Sequence, residues 1–204
     1  MFGLTRNELR LLRRLNTPRK VQDYLDAIPI NHEPDGDTCL SPRRVMRERR
    51  AHCIEGAMFA ALAFRVHGER PLILDLESAR HDDDHVVALF RQHGCWGAVS
   101  KTNHAVLRYR EPVYRTIREL VLSYFHEYFD RNGFKTLRYY SRPVDLTRFD
   151  RHNWMTNEKD NWFVAQHLVD VDHIPLLTRS QIATLRKAHP IEQQAGEIVE
   201  WMKR

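Results

Sequence analysis

Between Cys53 and His67 the chain reads CIEGAMFAALAFRVH, and Gly68 follows. Ala, Leu and Met dominate and β-branching is scarce, so the segment is predicted helical, with Gly68 as its natural terminator. A surface helix keeps one polar face. Here apolar residues fall on nearly every face, which places this helix in the middle of the domain. A chain of 204 residues can bury a core around it without disulfides or a structural metal, and fits one domain.

The flanking sequence supplies the layers. Leucines at 9, 11, 12 and 15 alternate with arginines over Asn7 to Leu15 and predict a helix. Thr17-Pro18 and Ser41-Pro42 each pair an N-cap with proline at the first helical position, opening helices over Arg19 to Ala27 and from Pro42 to about Arg49. A turn-rich link at Asn31–Thr38, with Pro34-Asp35-Gly36-Asp37, lies between them. After Gly68, Pro71–Leu76, His85–Arg91 and Cys95–Ser100 read as strands. The second and third form a tight hairpin. With Gln92-His93 as a two-residue loop, Arg91 faces Gly94 and His85 lies opposite Ser100. Glu111–Phe129 is predicted as one long helix with Tyr124, Phe125, Tyr128 and Phe129 in the core. Lys135–Tyr140 returns as a strand, and Thr178–Arg204 gives two short helices around His189-Pro190. The plan is α+β: a single domain over 1–204, with a core at about 40–110 and helical flanks at 1–39 and 111–204.

Composition narrows the function. No apolar run approaches the ~20 residues that span a bilayer, so no membrane partner is expected. Three cysteines, Cys39, Cys53 and Cys95, cannot all pair, and the charged amphipathic N-terminus does not read as an export signal, so the expected compartment is the cytoplasm. The net charge is +5, concentrated in Arg43, Arg44, Arg47, Arg49 and Arg50. A balance this mild permits a nucleic-acid partner but does not argue for one. The arginines read as the solvated face of a short helix, with a raised local potential as the alternative.

The chemistry concentrates on Cys53. A sulfur at the start of a buried helix sits near free N–H groups and the positive end of the helix dipole, which favours the thiolate. His85, opening a strand that packs on this helix, is the candidate base, and Ser100 the candidate orienter of its ring. Asn103, three residues on, is the alternative orienter. The helix-start N–H groups are candidate oxyanion donors. Otherwise a lone Cys in an Ala-rich helix is a small buried hydrophobe. The run His81-Asp82-Asp83-Asp84-His85 holds metal-type donors, but contiguous ligands rarely converge, so neither metal nor cofactor is expected. Cys39 reads as a loop thiol and Cys95 as a hairpin residue.

These residues carry a resemblance. Ser41-Pro42-Arg43-Arg44-Val45-Met46 precedes Ala51-His52-Cys53-Ile54-Glu55-Gly56-Ala57, followed by Asp84-His85-Val86-Val87-Ala88-Leu89-Phe90 and Cys95-Trp96-Gly97-Ala98-Val99-Ser100. In order and spacing, Leu40 to Ser100 resembles the transglutaminase-like cysteine hydrolase core, of papain-like fold. The resemblance implies Cys53 as nucleophile, His85 as base and Trp96 as the strand aromatic. The family's third-member Asp falls on Ser100, which brings no charge. The implied function is thiol-dependent acyl transfer or hydrolysis at an amide of a peptide or protein substrate. The alternative is a non-catalytic binding module of the same fold.

Overall fold

The computed structural model describes residues 1–34 and 36–202 and shows an α+β protein built on one antiparallel sheet. The strands are β1 (Leu72–Ser78), β2 (His85–Gln92), β3 (Cys95–Ser100), β4 (Arg110–Tyr114), β5 (Leu137–Ser141), β6 (Val144–Asp145) and β7 (His173–Pro175). Their spatial order is β4-β3-β2-β1-β5-β7, and β6 pairs with β1. The helices are α1 (Arg6–Arg14), α2 (Pro18–Asp26), α3 (Pro42–Glu48), α4 (Cys53–Val66), α5 (Ile117–Phe125), α6 (Trp162–Asp170), α7 (Arg179–Ala183) and α8 (Pro190–Glu197). The expected turn at Pro34–Asp37 contains Asp35, and the expected helical tail ends at Lys203–Arg204; these three residues lie outside those described.

Helix α4 is the centre of the molecule. Every residue from Ile54 to Phe64 is buried. One side packs on the sheet face formed by Ile73, Val86, Ala88, Phe90 and Val99, and Leu12, Leu25, Val45 and Val164 from α1, α2, α3 and α6 close the rest. The opposite sheet face, with Leu74, Leu76, Val87 and Leu89, is covered by Leu120, Val121, Tyr124 and Phe125 of α5. A sheet buried on both faces needs strands apolar on both sides, hence the unbroken burial from His85 to Phe90.

Three expectations need correcting. The hairpin loop is His93-Gly94, not Gln92-His93. Both residues take positive φ, 52° and 78°, as the favoured two-residue hairpin turn requires, and glycine makes the second inexpensive. Gln92 therefore pairs with Cys95, and Ser100 lies opposite Val87 rather than His85. Second, the long helix at Glu111–Phe129 is two elements. Arg110–Tyr114 forms the edge strand β4, where Pro112 is tolerated, and Thr116 then starts α5 through a capping box with Glu119. Third, the segment read as a helical flank contributes β4, β5, β6 and β7 to the central sheet. Phe129 is only partly buried, whereas Tyr124, Phe125 and Tyr128 are core.

One contact seats the start of α4 against the end of β3. A Cβ on Gly56 would lie 2.5 Å from the Cβ of Lys101, a stem atom that cannot swing aside. Gly56→Ala should therefore destabilise the fold by about 1–3 kcal/mol despite the better helix propensity of alanine. Urea unfolding followed by circular dichroism measures this; a stabilised variant would contradict the close approach.

Candidate active site

The start of α4 is positioned by the chain before it. Arg49 ends α3 in the left-handed conformation (φ 53°), and Ala51 bridges to the 29–31 segment, accepting from Asn31 N and donating to Pro29 O. His52 follows as an extended N-cap, and Cys53 is the first helical residue. Below it Glu55 is fully buried, at 0 % exposure, yet richly hydrogen-bonded. Its carboxylate accepts from Leu40 N (2.8 Å), His52 N (2.9 Å), Thr38 Oγ1 (2.8 Å) and Asn31 Nδ2 (3.1 Å). It thereby joins the loop at 31–40 to the first turn of α4. The His52 ring reaches the same cluster: Nε2 lies 3.0 Å from Thr38 O, 3.3 Å from Glu55 Oε1 and 3.5 Å from Glu33 Oε1.

His85 and Ser100 meet despite the corrected register. The difference is two residues, and side chains alternate with period two, so Ser100 stays on the face of His85 as its diagonal neighbour. His85 Nε2 is 2.7 Å from Ser100 Oγ, and Ser100 Oγ donates to Leu107 O at 2.5 Å. A hydroxyl has one proton, and it is used on Leu107. Ser100 therefore accepts from Nε2–H of His85, which fixes the tautomer and leaves Nδ1 as the free ring nitrogen. Ser100 is itself held by Gln22 of α2, whose Oε1 accepts from Ser100 N (3.0 Å) and whose Nε2 donates to Ser100 O (2.8 Å). The next residue, Lys101, is buried and donates from Nζ to Leu25 O and Ile28 O, tying the strand end to the end of α2.

The electrostatics single out Cys53. Burial raises its pKa, but interactions with the His52 and His85 rings outweigh burial and bring it down to about 5. Burial disfavours charge on His52, but its partners Cys53 and Glu55 raise the ring to about 11. Burial likewise raises Glu55, and His52 and the backbone donors outweigh it, to about 2. Cys39 contrasts sharply: it is fully buried, and burial pushes its thiol far up. Cys95 is a half-buried residue of the hairpin.

Other expected residues lie elsewhere. Asn103 does not reach His85; its amide brackets the backbone of Trp201, donating to Trp201 O (2.9 Å) and accepting from Trp201 N (2.8 Å). The donors in 81–85 diverge: His81 faces Asp130, Asp82 faces Thr136, Asp84 accepts from Ser78 N, and His85 turns to Ser100. Among the arginines before Cys53, Arg43 pairs with Glu8, Arg44 with Glu48 and Asp160, Arg47 with Glu158 and Arg50 with Glu48. Their charge is largely spent in ion pairs.

Several site residues were not anticipated. His52 and Glu55 lie beside Cys53 in sequence, and a glutamate inside a largely apolar helix was the available signal. Gln22 carried none. Asp75 is a buried carboxyl on β1, 3.0 Å from His173 of β7. Burial raises it to about 6 against the pull of His173, and the charges of Asp84 and Cys53 push the same way. A cavity of about 470 Å³ opens beside His85. Its wall includes Asp83, Asp84, Glu127 and Glu197, with Gln193 and Gly196 from the C-terminal segment.

No family model matches this sequence, and no curated protein matches it either. No helix among the described residues is long and apolar enough to cross a membrane.

Alkylation ranks the three thiols. At pH 6 an ordinary thiol is well under 1 % thiolate, whereas Cys53 is mostly ionised. Lower intrinsic nucleophilicity offsets part of this gain, leaving roughly a tenfold advantage. Iodoacetamide labelling read by peptide mass spectrometry should modify Cys53 first. Faster labelling of Cys39 or Cys95 would remove Cys53 as the reactive thiol.

Proposed function

We propose that the protein is a transglutaminase-like, papain-like cysteine acyltransferase or hydrolase acting at an amide or peptide bond. What supports this reading is the placement of Cys53 as the first residue of α4, where the His52 and His85 rings lower its thiol pKa to about 5, with the far nitrogen of His85 held at Ser100.

In this reading the Cys53 sulfur adds to the amide carbonyl carbon. The first-turn N–H groups of α4 face the developing oxyanion. His85, protonated on Nδ1, gives that proton to the leaving nitrogen as the C–N bond breaks, and a thioester remains. Water or an acceptor amine then adds to the thioester and passes a proton back to Nδ1, and the thiolate departs. Hydrolysis and transamidation differ only in that second nucleophile. The cavity at His85, whose wall does not include Cys53, is the proposed seat for a part of the substrate away from the scissile bond.

The second reading, a binding module that has lost catalysis, draws on one feature. The group fixing His85 is a neutral hydroxyl, which cannot stabilise an imidazolium as a carboxylate does.

The two are separated by incubating the protein with glutamine-containing peptides, with and without a primary amine, and following products by mass spectrometry. The enzyme reading expects deamidated, cleaved or amine-conjugated product, a thioester released by hydroxylamine, and loss of all three in Cys53→Ala. Peptide binding without product, unchanged by Cys53→Ala, establishes the module instead. Ser100→Ala removes the group that orients the His85 ring. It should lower turnover by about 10²-fold, as misplacement of a catalytic group does, while leaving peptide affinity in place.

A further inference from the structure

The neutral Ser100 leaves a question of charge that the other side of the nucleophile answers. Nε2 of His52 is surrounded only by acceptors: the Thr38 carbonyl and the carboxylates of Glu33 and Glu55. That nitrogen must therefore carry a proton. Glu55 cannot escape its charge either, because it accepts from two backbone N–H groups and two side chains in full burial. A buried carboxylate needs a nearby cation, and the arginines of α3 are engaged with Glu8, Glu48, Asp160 and Glu158. His52 is the group within reach that can become that cation by taking a second proton on Nδ1, and it is covalently adjacent to Cys53.

We propose that His52, held as imidazolium by Glu55, is the resident charge partner of the Cys53 thiolate, so that the thiolate does not depend on the protonation of His85. Glu55 is the positioning residue of the pair. The array then runs Glu55–His52–Cys53–His85–Ser100, with the family's missing carboxylate replaced by one on the far side of the sulfur. The resting sulfur then keeps a cation beside it even when the His85 ring is neutral. The groups facing His52 are Glu33, Glu55 and Cys53, and His85 faces the sulfur from the sheet.

The assignment rests on Cys53 as the nucleophile, but its test needs no turnover. Thiolate formation is followed by absorbance at 240 nm and by the pH dependence of alkylation, in wild type, His52→Gln, Glu55→Gln and His85→Ala, each checked for folding by thermal melt. Wild type should titrate near pH 5, with alkylation level from pH 6 to 9. His52→Gln should raise the midpoint by two pH units or more, Glu55→Gln by a smaller amount, and His85→Ala by less than His52→Gln. A midpoint unmoved by His52→Gln but raised by His85→Ala overturns the proposal and leaves the nucleophile in place. Should His52→Gln or Glu55→Gln fail to fold, carbon-detected NMR of the wild-type histidines decides. An imidazolium at His52 persisting above pH 8 supports the proposal, and titration near pH 6.5 overturns it. Amide turnover with an ordinary thiol titration also overturns it while sparing the proposed function. A low midpoint without turnover does the reverse.

Discussion

A single buried negative charge organises this protein. Taking a carboxylate out of water costs several kcal/mol unless donors replace the solvent. Glu55 meets that demand with Leu40 N, His52 N, Thr38 and Asn31, and each donor belongs to a segment with no regular structure of its own. The loop at 31–40 is therefore shaped by the helix beneath it, and the start of α4 is fixed in turn. Removing the charge would leave those donors buried without acceptors, which is why one carboxylate can hold a loop, an N-cap and the Cys53 thiol in register.

The second organising feature is the sheet covered on both faces. Apolar layers above and below leave polar chemistry little room except where strands end. β2 begins and β3 ends at the same edge, α4 begins there, and α2 ends there, with Leu25 O in its last turn and Ile28 O just beyond it taken by Lys101. His85, Ser100, Cys53 and Gln22 accordingly gather at one rim of a molecule whose middle is hydrocarbon. Rigidity at that rim comes from backbone clamps such as Gln22 on Ser100, which hold the orienting hydroxyl without adding charge.

What the sequence disclosed follows the range of the forces involved. Local signals were legible: the proline-marked caps at Thr17 and Ser41, the all-round apolar α4, and the strands expected at 71–76 and 85–91 and found at 72–78 and 85–92. The hairpin register was misread because glycine was taken as the first strand residue rather than the second turn residue. The contact between His85 and Ser100 was nevertheless anticipated, since a shift of two preserves the face. The long helix at Glu111–Phe129 was misread because the Thr116–Glu119 capping box went unused. Partnerships between residues 15 to 98 positions apart, such as Glu55 with Leu40, Gln22 with Ser100 and Asn103 with Trp201, left no periodic trace.

The clamp between Gln22 and Ser100 also redraws the minimal unit that can carry this site. The stretch from Leu40 to Ser100 contains sulfur, imidazole and hydroxyl, yet not what holds them. Gln22 lies upstream of it, as do Asn31 and Thr38, which support Glu55. Downstream, Leu107 takes the hydroxyl proton and is itself anchored by Glu127, which accepts from Leu107 N. A fragment cut to residues 40–100 would keep those three groups and lose their geometry. Grafting this site onto another scaffold thus means transplanting at least residues 22 to 127 as one piece.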